Sequence, residues 1–312
     1  MHTKDAINTL SAVLGTCRKL SNDEYYFKCP ACDHRKHKLA INLDKNAFHC
    51  WICDYRGRNI RRLVRRFGTF AQLQAWDRLS GQVDLTVFDS LFDSSVTEPE
   101  EILQLPVEFK SLANNRAPAT GIAALSYLKN RDITKEDILK WKIGYCFSGE
   151  YENRIIIPSF NKDGDLNYFI ARNYSNEYKK YKNPKASKNI IFNELYIDWN
   201  TDLVLVEGVF DAIRAGNAAP ILGSTLRAES KLLRKIVQND TPIYVALDPD
   251  AAAKERKIIQ MLLRYDIEVY KVDVSGYEDV GSMPKGVFEE RKSNANLIDR
   301  DDYLLLDLLS AV

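Results

Sequence analysis

Two Cys-x-x-Cys pairs near the N-terminus constrain the fold more than any other feature of the sequence. The four cysteines are Cys29, Cys32, Cys50 and Cys53. The stretch between the pairs, residues 33–49, has the length of roughly 15–20 residues that is usual in zinc ribbons, where four thiolates hold one Zn²⁺. Three nearby histidines are alternative ligands, although the spacing favours the cysteines: His34, His37 and His49. We therefore predict a structural zinc site, formed by a hairpin of residues 38–43 and 47–51, rather than a set of buried free thiols.

The overall composition is typical of a globular protein with two or three domains. The chain has 312 residues, of which 45% are hydrophobic and 28% are charged, and a domain takes about 100–200 residues. The formal net charge is only +1, so basic residues matter through local clusters rather than through a global field. The sequence shows neither a signal peptide nor a membrane span. Cysteines grouped at metal-binding spacing predict a reducing compartment, the cytoplasm.

An arginine-rich segment follows the second cysteine pair. Four of its arginines are predicted on one helical face: Arg58, Arg61, Arg62 and Arg65. Apolar residues fill the opposite face, and the aromatic side chains of Phe48, Trp51 and Tyr55 precede the helix. Cations beside aromatic rings favour contact with nucleic acid, whereas the alternative is an ordinary solvated face. We therefore interpret residues 1–80 as a zinc-ribbon DNA-binding domain.

The next two segments differ sharply in charge. Residues 81–115 are predicted as an acidic linker, because no lysine or arginine occurs in residues 81–108. Residues 116–200 are predicted to contain a hairpin of residues 154–160 and 166–172. A lysine cluster mixed with tyrosines follows this hairpin. Basic residues beside aromatic rings are more typical of a surface that binds a nucleotide or a single strand than of charges that only aid solubility, although an exposed loop is the alternative.

Residues 201–285 alternate between short apolar strands and helices, which predicts a parallel sheet. One predicted strand ends at Glu207, and another ends at Asp248-Pro249-Asp250. In such sheets ligands bind beyond the carboxyl ends of the strands. Carboxylates gathered there repel one another, and a divalent cation relieves the repulsion. Because all the ligands are oxygen atoms, the sequence predicts Mg²⁺ or Mn²⁺.

These motifs resemble the Toprim fold, and nearly the whole chain is similar to DnaG-type DNA primases, most of all the compact primases of tailed phages. The segment from Val206 to Asp211 resembles the first Toprim motif, Asp248-Pro249-Asp250 the second, and Asp279 the third acidic segment. Residues 127–131 resemble the start of the family's polymerase domain. One departure is Gly281, which stands where the family commonly has a second acid.

The resemblance implies an α/β fold: a Toprim parallel sheet with helices in residues 201–285, preceded by an α+β basic subdomain and an N-terminal zinc ribbon. Residues 286–312 would form a C-terminal helical segment. It further implies a catalytic set of Glu207, Asp248, Asp250, Asp211 and Asp279. The first three of these would hold Mg²⁺ or Mn²⁺. The implied template- and nucleotide-binding residues are Arg154, Arg172, Lys180, Lys182 and Lys185.

The implied activity is synthesis of short RNA primers on single-stranded DNA during replication, by two-metal nucleotidyl transfer. The cofactors would be one structural Zn²⁺ and one or two catalytic Mg²⁺ or Mn²⁺ ions. The expected partners are the single-stranded DNA template, ribonucleoside triphosphates and a replicative helicase, in the cytoplasm of a bacterium or a phage-infected cell and without a membrane. Two alternatives are a Toprim-type nuclease and a non-catalytic zinc-ribbon nucleic-acid-binding module in recombination.

Overall fold

The computed structural model describes most of the chain. The described residues are 3–20, 24–32, 34–57, 59–80, 102–113, 118–175, 179–223, 226–227, 230–265, 267–298 and 303. They divide between two compact units, Met1–Ser95 and Val96–Val312, which we call the N-terminal and C-terminal units. Arg58, most of the predicted acidic linker and residues 304–312 lie outside the described residues. None of the described helices has the length and apolar character needed to cross a membrane.

The N-terminal unit is an antiparallel sheet packed with three helices. Its strands follow one another in sheet order and are β1 (Arg18–Leu20), β2 (Glu24–Phe27), β3 (Leu39–Asn42), β4 (Ala47–Cys50) and β5 (Arg56–Gly57). Its helices are α1 (Thr3–Leu14), α2 (Ile60–Phe67) and α3 (Phe70–Ser80). Residues alternate along β2, so that Tyr25 and Phe27 enter the core while Tyr26 stays partly exposed. One face of the sheet therefore remains available to solvent.

The hairpin predicted between the cysteine pairs is confirmed. Strands β3 and β4 pair antiparallel, with Leu39 opposite Cys50 and Asn42 opposite Ala47. The Asn42 Oδ1 atom accepts a hydrogen bond of 2.9 Å from the Lys45 backbone N–H, and Asn46 has a φ of 47° in the left-handed region that asparagine tolerates. The turn chemistry thus fixes the register that brings the two cysteine pairs together.

Helix α2 corrects one predicted nucleic-acid contact. Asn59 caps the helix by accepting a hydrogen bond from the Arg61 N–H, and Ile60, Leu63 and Val64 are buried. Arg61 is buried as well, because its Nε and Nη2 atoms donate to Asp77 of α3 at 2.6 and 2.9 Å. The prediction that Arg61 shares an exposed binding face is therefore wrong, and its role is to join α2 to α3.

The C-terminal unit begins with the second antiparallel sheet. Its strands are, in sheet order, β6 (Lys110–Ser111), β7 (Gly144–Cys146), β8 (Arg154–Phe160) and β9 (Leu166–Asn173), and its helices are α4 (Ile122–Lys129) and α5 (Lys135–Lys140). The hairpin predicted in this region is confirmed as β8 and β9. Its turn is closed by Asn161 Oδ1, which accepts hydrogen bonds from two backbone N–H groups, and by Gly164 at a φ of 89°.

The predicted parallel sheet is also confirmed. Its strands β10 (Leu203–Val206), β11 (Ala218–Pro220), β12 (Ile243–Val245) and β13 (Val269–Lys271) are ordered β11-β10-β12-β13, and every pairing is parallel. The associated helices are α6 (Val209–Ala215), α7 (Lys231–Asn239), α8 (Ala252–Arg264) and α9 (Lys285–Ser293). All four residues of β10 are buried, as expected of a central parallel strand. The sequence predicts the second strand at residues 220–222, whereas β11 covers Ala218–Pro220, and Leu222 has a left-handed φ of 52°.

A continuous hydrophobic core connects the two sheets of the C-terminal unit. It includes Val204 and Val206 of the parallel sheet together with Tyr145, Ile155 and Ile157 of the antiparallel one. The parallel and antiparallel sheets of this unit are therefore parts of one packed body. The mixed α/β fold class predicted from the sequence is confirmed.

Candidate active site

Five acidic side chains lie near the carboxyl edge of the parallel sheet, and we call them the acid rim. They are Glu207, Asp211, Asp248, Asp250 and Asp279. Glu207 directly follows β10, and Asp248 lies beyond β12, its neighbour in the sheet. The other acidic side chains come from α6, from the turn before α8 and from the loop after β13. The topology thus brings together residues that are far apart in the sequence.

Asp248 is the electrostatic centre of the acid rim. Burial, together with the charges of the four other acidic residues, raises the pKa of its carboxyl to about 7. Its Oδ1 atom is buried and makes no hydrogen bond within the described structure. An ionised carboxylate in this position therefore lacks both a hydrogen-bond donor and a nearby cation of its own.

Asp211 is held rigidly by two backbone groups. Its Oδ2 atom accepts a hydrogen bond of 2.9 Å from the Gly208 N–H, and its Oδ1 atom accepts one of 2.8 Å from the Gly281 N–H. Burial and the charge of Asp279 raise its pKa to about 6 in spite of these two donors. A Cβ atom on residue 281 would lie 3.0 Å from Asp211 Oδ1, so the glycine fits where the resembled family has an acid. Asp279 itself caps the turn at Val280–Ser282 through the Ser282 N–H.

Glu207 is paired with a lysine that the sequence did not indicate. The Lys254 Nζ atom of α8 lies 2.6 Å from Glu207 Oε1, and both side chains are mostly buried. The sequence shows Lys254 only as a basic residue in the first helical turn after Asp248-Pro249-Asp250. Nothing in a single sequence assigns that residue to Glu207 rather than to solvent.

The acid rim fits a hard divalent cation by its chemistry. All of its donors are carboxylate oxygens, one of which is buried without a hydrogen bond in the described structure, and burial together with neighbouring charges raises the pKa of two carboxyl groups. The carboxylate oxygens of the acid rim do not, however, lie close enough together to form a complete set of metal ligands. Among the described residues, three or more potential metal ligands lie within 4.8 Å of one another only at the four cysteines.

The four cysteines form a compact sulfur cluster. Cys29 Sγ lies 3.7 Å from Cys53 Sγ, and Cys32 Sγ lies 3.9 Å from Cys50 Sγ. A tetrahedral site with Zn–S bonds of about 2.3 Å has sulfur–sulfur edges of about 3.8 Å, so the cluster has the dimensions of a Zn²⁺ site. The alternative histidine ligands have other partners: His34 accepts from the Lys36 N–H, His37 contacts Thr16, and His49 contacts Asp54.

Two arginines meet at one tyrosine near the acid rim, and we call Tyr127, Arg131 and Arg172 the arginine cradle. The Tyr127 hydroxyl oxygen accepts hydrogen bonds of 2.9 Å from the Nε atoms of both arginines. The guanidinium of Arg131 lies over the Phe210 ring at 4.9 Å, and that of Arg172 lies over the Tyr181 ring at 4.8 Å. Within the described residues, neither arginine forms an ion pair with a carboxylate.

The cradle contains functional candidates that the sequence analysis missed. The sequence indicates no role for Arg131 beyond its place in the family resemblance, although its charge partly offsets the raised pKa of Asp211. Tyr127 received no role either. The cradle depends on contacts between α4 and β9, which are distant in the sequence, so no local pattern could indicate it.

Of the remaining basic residues predicted to bind template or nucleotide, one is buried and supports the fold, and others lie on the surface. Arg154 is only 5% exposed, and its guanidinium donates to the Lys179 and Lys180 carbonyl oxygens. The prediction that Arg154 contacts template or nucleotide is therefore corrected, because the side chain instead supports the basic loop from inside. Lys182 Nζ contacts Glu150 at 3.2 Å, whereas Lys180 and Lys185 are exposed.

Comparison with known proteins relates the chain to primases. No family model matches the sequence. The DNA primase of Staphylococcus epidermidis is 23% identical over 310 residues, and the match covers 80% of this chain and 51% of the relative. The DNA primase of Staphylococcus aureus strain MSSA476 is 24% identical over 315 residues, with 80% and 50% covered. The chain thus spans about half the length of the curated relatives it matches.

Several solved primase structures have a fold similar to that of this chain. The zinc-binding and RNA polymerase domains of the Aquifex aeolicus primase match with a TM-score of 0.50 at 20% identity, covering 94% of this chain and 84% of that one. This chain has the fold of DnaG primase domains. The DnaG primase catalytic domain bound to single-stranded DNA matches with a TM-score of 0.53 at 19% identity over 62% of this chain and 78% of that one. The Escherichia coli primase catalytic core gives 0.52 at 18% identity, with 62% and 79% covered.

Proposed function

We propose that the chain is a DNA primase, which synthesises short RNA primers on a single-stranded DNA template. The observation that carries this proposal is the half-buried Asp248, whose Oδ1 atom has no partner in the described structure and whose four acidic neighbours lie at the carboxyl edge of a parallel sheet. Similarity to curated DNA primases and to DnaG primase structures supports it. The cation-binding and nucleotide-binding roles below belong to the same proposal.

Glu207, Asp248 and Asp250 would hold the catalytic cation, and Asp211 and Asp279 would surround it. When bound, Mg²⁺ would lower the pKa of the attacking sugar hydroxyl and neutralise charge on the triphosphate. Asp211 contributes a carboxylate whose direction is fixed by two glycine N–H groups. Asp250 is exposed and free to reorient, which suits a ligand that completes the site only when substrates are present.

The arginine cradle would bind phosphate. Its two guanidinium groups are close together, have no carboxylate partner among the described residues and lie within electrostatic reach of Asp211. Two cations held at one hydroxyl oxygen repel each other, and an anionic phosphate relieves that repulsion. The exposed Lys180 and Lys185 extend the positive surface along the loop that Arg154 supports. This arrangement suits the triphosphate of an incoming ribonucleotide or the backbone of a template strand.

The solvent-facing side of the N-terminal sheet would bind the single-stranded template. Strand register places Arg18 beside Tyr26 and His49 beside Arg56, with Ala40 between the two pairs. Trp51 is 63% exposed and contacts the His49 ring at 4.4 Å. A cavity of about 580 Å³ adjoins this face and is lined largely by basic side chains, among them Arg18, Lys28, Arg35, Lys36 and Lys38. Rings for stacking and cations for phosphates are the two elements of single-strand binding.

The cysteine cluster would hold a structural Zn²⁺ beneath that surface, since a closed set of four thiolates leaves no position for a substrate. Ribonucleoside triphosphates would be the substrates. A replicative helicase as partner and a cytoplasmic location follow from the assignment to replication. These three statements rest on the primase assignment rather than on separate features of the fold.

Incorporation of labelled ribonucleotides on single-stranded DNA tests the proposal. We expect Glu207→Ala and Asp248→Ala to abolish primer synthesis, while Asp163→Asn, an exposed acid in the β8–β9 turn, retains it. The same variants are assayed for cleavage of the DNA strand. Full synthesis in both rim variants contradicts the assignment, and cleavage without synthesis in the wild type replaces it with a nuclease that uses the same carboxylates.

A further inference from the structure

Lys254 is a cation that the fold itself supplies to the acid rim. It lies in the first turn of α8, which begins directly after the Asp248-Pro249-Asp250 turn. Helical side chains tilt toward the N-terminus of their helix, so a residue in this turn is directed back toward the rim. Its Nζ atom lies 2.6 Å from Glu207 Oε1, and 20% of the lysine side chain and 25% of the glutamate side chain remain exposed. The two side chains therefore form a largely desolvated, hydrogen-bonded ion pair.

The other acidic residues of the rim are stabilised differently. Asp211 accepts two backbone hydrogen bonds, Asp279 accepts one, and Asp248 keeps one buried oxygen without a donor. Among the described residues, Lys254 is the only side-chain cation that forms an ion pair with the rim. Glu207 is thus the one rim carboxylate whose charge is already compensated by a side chain.

We propose that Lys254 is a positioning residue that sets the affinity of the acid rim for its divalent cation. Its ammonium group compensates Glu207 while no ion is bound, and it would compete with an ion for the charge of the Glu207 carboxylate. The pair therefore lowers the intrinsic affinity for the ion and keeps the carboxylates from repelling one another in its absence. This inference rests on the proposed function, because it assumes that Glu207 is a cation ligand.

Binding of Mn²⁺ to the zinc-loaded protein, measured by electron paramagnetic resonance of free Mn²⁺, tests the inference without an activity assay. The Asp248→Asn variant serves as the blank for sites outside the rim. We expect Lys254→Met and Lys254→Gln to bind Mn²⁺ about tenfold more tightly than the wild type, since a hydrogen bond between charged groups is worth about the free energy of a tenfold change in affinity. Lys254→Arg keeps the charge and should remain within about threefold of the wild type.

Lys257 offers a matched control on the same helix. It is exposed and makes no ion pair with the described residues, so Lys257→Met removes the same charge from α8 without touching Glu207. We expect this variant to stay within about twofold of the wild type. The glutamine variant can still donate a hydrogen bond to Glu207, and it preserves the test if the methionine variant does not fold.

The outcomes separate this inference from the proposed function. Tighter Mn²⁺ binding in the two neutral variants, together with unchanged binding in the Lys257 control, supports the role of Lys254. Binding that is unchanged or weaker in the folded neutral variants overturns that role and leaves the primase proposal in place. A wild type that binds no more Mn²⁺ than the Asp248→Asn blank overturns the cation site of the proposed function, and the role of Lys254 with it.

Discussion

Replacing Asp248 with asparagine should stabilise the cation-free protein at pH 8 while it abolishes primer synthesis. The physical reason is that the fold raises the pKa of the Asp248 carboxyl from 3.8 to about 7. A raised pKa means that the folded state binds the proton more tightly than the unfolded state does. The contribution of this carboxyl to stability is therefore fully present below about pH 4 and is lost as the pH rises through 7. Asparagine resembles the protonated acid in shape and lacks the charge at every pH.

The size of the effect follows from the pKa shift. Raising the pKa by about 3 corresponds to a free energy of about 4 kcal/mol. We halve this to about 2 kcal/mol, because solvent screens the partly exposed side chain and the pKa also depends on four neighbouring acidic groups. For a unit of this size, that free energy raises the midpoint of thermal unfolding by about 4–8 °C. At pH 5.5, about midway between the two pKa values, the carboxyl is protonated in the folded state but ionised in the unfolded state. Only about half of the contribution has been lost there, so we expect the gain to fall to about half of its value at pH 8.

Thermal unfolding followed by circular dichroism, with zinc bound and no added Mg²⁺, measures this difference at both pH values. Asp163→Asn is the control, because Asp163 is exposed in a turn far from the rim in sequence and its replacement should leave the midpoint nearly unchanged. A variant Asp248→Asn that is less stable than the wild type at pH 8 refutes the argument. An equal gain at pH 5.5 refutes it too, because the effect would then not arise from ionisation.

Three further predictions address the other clusters. Tyr127→Phe removes the hydroxyl shared by two arginines. We expect steady-state kinetics to show a KM for ribonucleotides raised about tenfold with little change in kcat. An equal fall in kcat and kcat/KM would instead indicate general damage to the active site. Asp77→Ala leaves Arg61 buried without its carboxylate, so urea denaturation should show the N-terminal unit destabilised by about 3 kcal/mol, and a change below about 1 kcal/mol would contradict the buried pair. Cys50→Ser should abolish stoichiometric zinc in elemental analysis and unfold the same unit, and retained zinc would exclude the four-cysteine site.

Local patterns were sufficient to predict several of the helices and strands that lie in the described residues. The two cysteine pairs with a turn between them predicted the hairpin, and short apolar strands alternating with helices predicted the parallel sheet. Both inferences use only spacing and periodicity, which the sequence displays directly.

Side-chain partnerships were not predictable in the same way. Arg61 was expected on an exposed face because helix periodicity does not reveal that Asp77 of α3 approaches it. Arg154 was expected at a ligand because the family resemblance implied that role, yet the side chain supports the backbone of the lysine cluster. In both cases the decisive contact joins segments that are separated in sequence, and only the packed fold determines it.

The acid rim shows how the fold can tolerate carboxylates that repel one another. The strands that carry Glu207 and Asp248 to the sheet edge are largely buried, and hydrophobic burial of about 25 cal/mol per Å² there offsets electrostatic costs of a few kcal/mol. The structure then compensates the rim charges unequally, with backbone N–H groups for Asp211, an ammonium for Glu207 and nothing for Asp248 Oδ1. A cation would therefore gain most at Asp248, where the uncompensated charge is greatest, and its binding would be opposed most at Glu207. Because of that asymmetry, we expect the two substitutions to have opposite effects on cation binding. Asp248→Asn should stabilise the cation-free protein and remove the ion site. A neutral residue in place of Lys254 should leave the ion site intact and increase its affinity.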